Sequence, residues 1–431
     1  MATGRNISFA LAWQDAWGAA AASGDAAWTF NAEAGDLGPV PTEPREPAPL
    51  MGLGGAEVDP IAGAHDVSHT FNLPLCARQA GLWIKGLMGA ATIAAAVGSR
   101  GGFLFRRQPV AADTITVGET TFTFVSGTPS TDEIQIGATL LATVAAAATA
   151  VDGETGISAE AHGPILWITH DTADDTGDDV VTSASAPGRA QPFAATLKGG
   201  GYFRHLWRSE ASVARPCASV EVTHSDVASP STYRFTDSMM VGGLTLAKQR
   251  SGRVTMSAEV IARRGVEGGS RTLAASPTAL TVMQFSQASG SILLGGECIG
   301  SIESAEISLG VDLHPGGMSA CGGDDYAVIG EPLVGDTTAG LTLTGRFPTS
   351  VLHAAAFAGT PVEVELVFIN AQSGAALFVT LPRVWLDKPQ MSAEGRGQVL
   401  ASFTGRGIVD PSAGYRYQAE LYSPVAGWPA A

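Results

Sequence analysis

One strand pattern occurs twice in this 431-residue chain at a nearly constant separation, and that repetition constrains the fold more than any other feature. Val220-Glu221-Val222 aligns with Val364-Glu365-Leu366 at a separation of 144 residues; Phe235 aligns with Val379 and Met240 with Val384 at the same separation. A slip of one residue brings Gly252-Arg253-Val254 onto Gly397-Gln398-Val399, with Met256 and Ala258 meeting Ala401 and Phe403. Upstream, Thr70-Phe71-Asn72-Leu73-Pro74 is similar to Thr344-Gly345-Arg346-Phe347-Pro348, each ahead of an Ala-rich stretch with helical character. That pair is 274 apart, so the first half holds 130 extra residues between these landmarks. Two related halves with separate cores are expected, in keeping with a chain too long for one ordinary domain.

The repeated segments read as half-buried strands. Between Val254 and Val260, Val254, Met256, Ala258 and Val260 share one face, and Thr255, Ser257 and Glu259 share the other. Ser219–Thr223, Arg234–Thr236 and Ile302–Leu309 alternate in the same way. Arg78–Val97 predicts a helix on the strength of Leu82, Leu87, Met88 and its alanines, and Ser350–Ala358 predicts another. Residues 109–191 change character. Thr114–Val125 predicts two short strands around Gly118-Glu119, Glu133–Gly137 another, Ala138–Val151 a small helix, and Ile165–Thr169 and Val180–Ser183 further strands. This reads as a compact α+β module set into the first half, with Phe103-Leu104-Phe105 and Tyr202-Phe203 belonging to the surrounding fold.

The expected division is an N-terminal arm at 1–63, a first β domain at 64–108 and 192–265, the inserted module at 109–191, a linker at 266–280, a second β domain at 281–410, and a C-terminal arm at 411–431. The first arm carries Trp13, Trp17 and Trp28 and then five prolines from Pro39 to Pro49, so it is expected to lie against an apolar surface without regular structure. His314–Asp336 reads as a loop.

Charge and motifs exclude several classes. Of the net charge of −16, the segment 109–191 carries −11, with twelve acidic residues and one basic residue, Arg189. No basic stripe with interleaved aromatics occurs, which argues against a nucleic-acid reader. The N-terminus lacks a signal-peptide pattern, and no window approaches 18 uninterrupted apolar residues. Cys76, Cys217, Cys298 and Cys321 are widely spaced and read as reduced, mostly buried thiols of a protein made in the cytoplasm. There is no nucleophile elbow, phosphate loop or dinucleotide fingerprint, and Gly295–Gly300 reads as a turn between strands. His65 and His69 have helical metal-ligand spacing but stand where a loop enters a strand. Asp171, Asp174, Asp175, Asp178 and Asp179 lack the spacing of a calcium loop. No catalytic, cofactor-binding or metal-binding residue is therefore assigned, and no enzymatic activity is expected.

The second half resembles the tail tube proteins of long-tailed (siphovirus-like) bacteriophages. Ile302–Leu309 is similar to the family's first core strand; a long loop then ends near Asp336, and Gly340–Phe347 leads into the helix at Ser350–Ala358. Pro361–Phe368, Ala376–Trp385 with Leu381-Pro382-Arg383-Val384, and Gly397–Thr404 resemble the strands that follow. The first half resembles a two-part version of the family through Trp13 and Trp17, His205 after Tyr202-Phe203, Pro216–Val222 and Leu244–Val260. The module, opening with Asp113–Val117 and Thr121–Val125, is similar to small domains inserted into other phage virion proteins.

The resemblance implies a mainly β protein with two tandem tail-tube-type barrel or sandwich domains, each with a flanking helix, and an α+β insertion in the first. It implies a structural virion subunit without cofactor or membrane, made in the host cytoplasm. Three chains would form a pseudo-hexameric ring, and rings would stack with other tail proteins into a tube that viral DNA crosses without specific binding. A different phage virion or surface-array β-protein, such as a tail spike, decoration or surface-layer subunit, accounts for the strands and the insertion. It does not account for the two similar halves.

Overall fold

The computed structural model describes residues 7–19, 21, 25–33, 45–46, 61–62, 67–210, 213–224, 232–234, 238–249, 253–268, 273, 276–285, 290–294, 297–298, 302–316, 329–346, 350–393 and 399–428. The first half opens with strands β1 (Ile7–Gln14), β2 (Ala27–Phe30), β3 (Arg45–Glu46), β4 (Ile61–Ala62) and β5 (Val67–Pro74). Helix α1 (Ala80–Met88), β6 (Thr92–Val97) and β7 (Arg100–Phe105) follow. Next come β8 (Thr114–Val117), β9 (Thr120–Val125), β10 (Glu133–Gln135), α2 (Leu140–Val151), β11 (Ile157–His162), β12 (Ile165–His170), β13 (Thr182–Ala184) and β14 (Ala190–Pro192). The first half resumes with β15 (Tyr202–Arg208), β16 (Cys217–His224), β17 (Thr232–Arg234), β18 (Met239–Gln249), β19 (Thr255–Ala262), β20 (Val266–Gly268) and β21 (Thr278–Ala279). The second half contains β22 (Gly290–Leu294), β23 (Glu297–Cys298), β24 (Ile302–Gly316), β25 (Gly330–Arg346) and α3 (Ser350–Ala358). It ends with β26 (Val362–Asn370), β27 (Ala375–Leu386), β28 (Gln390–Ala393), β29 (Val399–Gly407) and β30 (Gln418–Ser423).

The protein is mainly β, and its sheets pack as sandwich-like layers, none of which closes into a barrel among the described residues. One layer is an antiparallel run in the order β5-β19-β18-β24-β25-β29-β28. The join between halves lies inside it, where β18 pairs with β24 from Gly243↔Gly310 to Gln249↔Ser304. The facing layer sets β16 against β1, and β30 between β15 and β27, with β26 and β22 beyond. Phe71, Trp83, Leu246 and Met256 from the first half and Ile307, Leu341, Leu366 and Phe403 from the second share one apolar cluster. The halves thus have a common core, where separate ones were expected.

The pairing order repeats as the sequence does. β19 lies between β5 and β18, as β29 lies between β25 and β28. Leu246↔Met256 and Met391↔Ala401 are equivalent pairs 145 residues apart. β28 therefore matches the far end of β18, although Asp387-Lys388-Pro389 separates it from β27. Phe71↔Ala258 matches Leu343↔Phe403, which places the upstream equivalence at 272 and not 274. A slip of two leaves every side chain on its original face.

Several expectations are corrected. The helix expected over 78–97 stops at Met88, because Gly89 (φ 78°) turns the chain and residues 92–97 are drawn into a strand against β15. Pairing overrides the helical preference of alanine. Residues 7–14 of the expected N-terminal arm pair with β16 along their whole length. In the expected C-terminal arm, β30 bridges β15 and β27, and Trp428 is buried. Within 266–280, the Leu273 backbone N–H donates to the buried Glu221 carboxylate at 3.0 Å, so the expected linker is fastened to the first half. The described ends of the expected loop 314–336 continue a hairpin, with Leu313↔Val334 and Gly316↔Gly330 paired across register shifts; residues 317–328 lie outside the described ones. The prolines Pro39–Pro49 also lie outside the described residues.

The inserted segment has its own core, in which Phe105, Phe122, Phe124, Val144 and Ile168 meet between two four-stranded sheets and α2. β7, read as part of the surrounding fold, pairs with β12 and β14 inside this module. The outer face of β12 docks Ile165 and Trp167 onto Leu293, Val367, Ile369, Ala376 and Phe378 of the second half. The Trp167 and Phe378 rings meet edge to face at 5.5 Å.

All of α1 except Lys85 is buried, and a Cβ on Gly81 would strike the Trp428 ring. Gly to Ala in a helix interior ordinarily stabilises by up to about 1 kcal/mol. Gly81→Ala should instead lower the midpoint of calorimetric unfolding, and Trp428→Ala in the same chain should reverse much of that loss.

Candidate assembly surface

Strict alternation across the β5–β28 layer gives it two unlike faces. Phe71, Leu246, Met256, Ala258, Ile307, Leu309, Leu341, Leu343 and Phe403 point into the core. The opposite face carries Thr70, Asn72, Ser257, Glu259, Thr245, Glu306, Ser308, Thr342 and Thr404, nearly all short and polar. Its charges are mostly acidic: Glu259, Glu306, Asp312 and Asp336, with Arg406 on β29. On such a face the carboxylates outnumber Arg406, which gives phosphate little to hold.

The two margins of this layer differ. Beside β5, the Glu33 backbone N–H donates to the Asn72 carbonyl at 2.7 Å. Beside β28, no strand among the described residues takes the outer flank. The equivalent flank of β18 is occupied by β24.

A second surface lies where the module meets the second half. Glu160, His162, Trp167, Arg204, Glu363, Glu365, Phe378, Thr380, Glu420 and Tyr422 surround a cleft of about 400 Å³. Arg204 grips Glu420 with two hydrogen bonds, Nε at 2.7 Å and Nη2 at 3.1 Å, and the Tyr422 hydroxyl donates to the same carboxylate at 2.6 Å. Burial opposes the charge of Glu420, but these hydrogen bonds outweigh it and hold the group below its ordinary pKa. Glu365 has a weaker set. Burial is the chief cause that pushes it above the carboxylate range, and the Thr380 hydroxyl at 3.2 Å and nearby His162 only partly offset this. Arg100 is buried with its guanidinium carbon 4.0 Å from the Tyr422 ring centre, pinning β7 to β30; burial lowers its pKa to about 10.

The residues weighed from sequence for metal or thiol chemistry do not converge. His69 lies on β5 with its ring 4.7 Å from Phe71, and His65 lies outside the described residues. Asp171 accepts from the Ser158 hydroxyl, Asp174 caps the turn at Thr176, and Asp178 accepts from the Ser99 hydroxyl and the Gly200 N–H. These carboxylates fix turns. Cys76 and Cys217 are buried free thiols, and burial raises Cys217 to about 11. Cys321 lies outside the described residues. β22 and β23 pair around residues 295–296. Among the described residues, no group of three or more His, Cys, Asp or Glu is arranged to hold a metal ion, and no helix is long and apolar enough to cross a membrane.

The family model described as phage tail tube protein matches residues 4–407, spanning both halves and the module between them. The chain belongs to that family. Membership makes it a structural component of a phage tail that assembles with other tail subunits. A comparison with curated proteins finds no match. Within a tail tube protein, an open flank on β28 and a polar sheet face are the features relevant to assembly. The cleft residues come from β11, β12, β15, β26, β27 and β30, so no local motif announced them.

The position of Glu365 gives a pH test. Its folded pKa is above the unfolded value near 4.5, so between the two the folded state holds the extra proton. Stability from this group is present at low pH and is lost as pH rises through the folded value. Glu365→Gln should therefore unfold at a higher temperature than the parent at pH 8, with the difference closing toward pH 4. An equal gain at both pH values would refute the buried-charge account.

Proposed function

We propose that this chain is the major tail tube subunit, that three copies close a ring of six related halves, and that stacked rings form the channel for genome delivery. The observation that carries this reading is the unequal fate of two equivalent strands. β18 is flanked by β24 of the same chain, whereas β28, its counterpart in the second half, has no strand on its outer flank among the described residues. A neighbouring chain that brings its first half to β28 repeats the β18–β24 arrangement and removes the edge. Around three chains the β5–β28 layers then run as one wall.

Lumen placement follows from the two faces of that wall. The apolar face is already buried, which leaves the Ser, Thr and acidic face for the channel. Glu259 and Glu306 there repel phosphate, so DNA slides without a specific site. On this reading the functional units are the first half, the inserted module and the second half. The segments 1–63, 266–280 and 411–431 serve as their fastenings, and the module lies on the outer side of the tube.

Electron microscopy of concentrated purified protein tests this. Tubes with three chains and three outer knobs per ring are expected. Six chains in a ring, or six knobs at one level, would overturn the stoichiometry.

A further inference from the structure

The two related helices have unequal surroundings. α1, with the sequence AGLWIKGLM, is buried at every position but one. Its cover comes from both halves. The Trp207 indole N–H donates to the Gly89 carbonyl at 3.1 Å, Arg215 Nε donates to the Leu87 carbonyl at 2.8 Å, and the Lys85 ammonium donates to the Trp428 carbonyl. Trp428 follows β30, which pairs with β27 of the second half, so that half also helps to bury α1.

α3, with the sequence SVLHAAAFA, has no charged residue. Apart from Ser350 and His353 it is apolar, and such a helix is normally buried over most of its surface; nine residues do not hold a helix unaided in water. Yet Ala354, Phe357 and Ala358 face solvent, with Phe357 54% exposed. Trp385 at the end of β27 is 42% exposed and stands against Gly359, just past the helix, where an added Cβ would lie 3.9 Å from its ring. Met391 on β28 is 53% exposed, which carries the apolar surface to the open flank of that strand. The chain passes from α3 to β26 within residues 359–361, leaving no room for the strands that cover α1 between α1 and β16.

We infer that α3, with Phe357 and Trp385, is a docking surface for a second copy of this chain, covered by the first half of the neighbour that pairs with β28. The inference rests on the ring reading and extends it: the interface has an apolar helical part besides the strand edge. Within one chain, the two halves are joined at β18–β24, and α1 of the first is covered in part by Trp428 after β30. Between chains, the join at β28 buries α3. Lys388, with its ammonium 5.6 Å from the Phe357 ring centre, rims this surface and shields the ring in the free subunit.

The test places single cysteines in the full chain and compares maleimide labelling of monomers and of assembled tubes. Ala354→Cys and Ala358→Cys should label readily in the monomer and at least tenfold more slowly in tubes. Glu119→Cys, on the β8–β9 turn of the module, should label equally in both. In parallel, the Ala354→Glu, Phe357→Glu double variant should remain a folded monomer by circular dichroism while sedimentation shows no tubes at concentrations where the parent assembles. Tubes from the double variant, or unchanged labelling of position 354 in tubes, would overturn the role of α3 and leave the ring reading standing. Failure of the parent chain to assemble under any condition would overturn the ring reading and this inference with it.

Discussion

The pairing of β18 with β24 is the contact on which the rest of the structure depends. Seven consecutive register positions, Gly243↔Gly310 to Gln249↔Ser304, turn two related halves into one sheet. Once those strands are adjacent, Leu244 and Leu246 lie beside Leu309 and Ile307 on the same face, and the core cannot be divided. Without the pairing, each half would expose a long strand edge and a strip of aliphatic side chains. The position of β30 between β15 and β27 reinforces the join from the other layer.

The module adds a second union of distant segments. Its apolar cluster is separate from that of the body. It is nevertheless tied down by Trp167 and Ile165 against Phe378 and Val367, and by Arg100 over Tyr422. The excess negative charge of this segment does not prevent docking, because the docked face is apolar, with Ile165 and Trp167, while Asp171, Asp174 and Asp175 stand exposed.

Much of this was legible in the sequence wherever a local period governed the structure. Val254, Met256, Ala258 and Val260 were assigned to one face, and that face is buried. The strands at Thr114–Val125 and the helix ending at Val151 follow from turn glycines and an alanine run. Sequence reasoning failed where a distant partner decided the outcome. Thr92–Val97 reads as helix by composition but is a strand because β15 lies beside it. Ile7–Gln14 and Gln418–Ser423 read as parts of arms because the strands that flank them are far away in the chain. The open flank of β28 was illegible for the same reason: it is recognisable only by comparison with β18 once both are placed.

The break at Asp387-Lys388-Pro389 bears on timing. An unbroken counterpart of β18 would present a long open ladder to any passing chain, the form of edge that nucleates runaway aggregation. β28 presents four residues, preceded by a proline without an N–H and flanked by an exposed acid and an exposed lysine. So short a ladder binds weakly by itself. On the ring reading, a lasting junction therefore needs the α3 surface to close in the same encounter as the β28 edge.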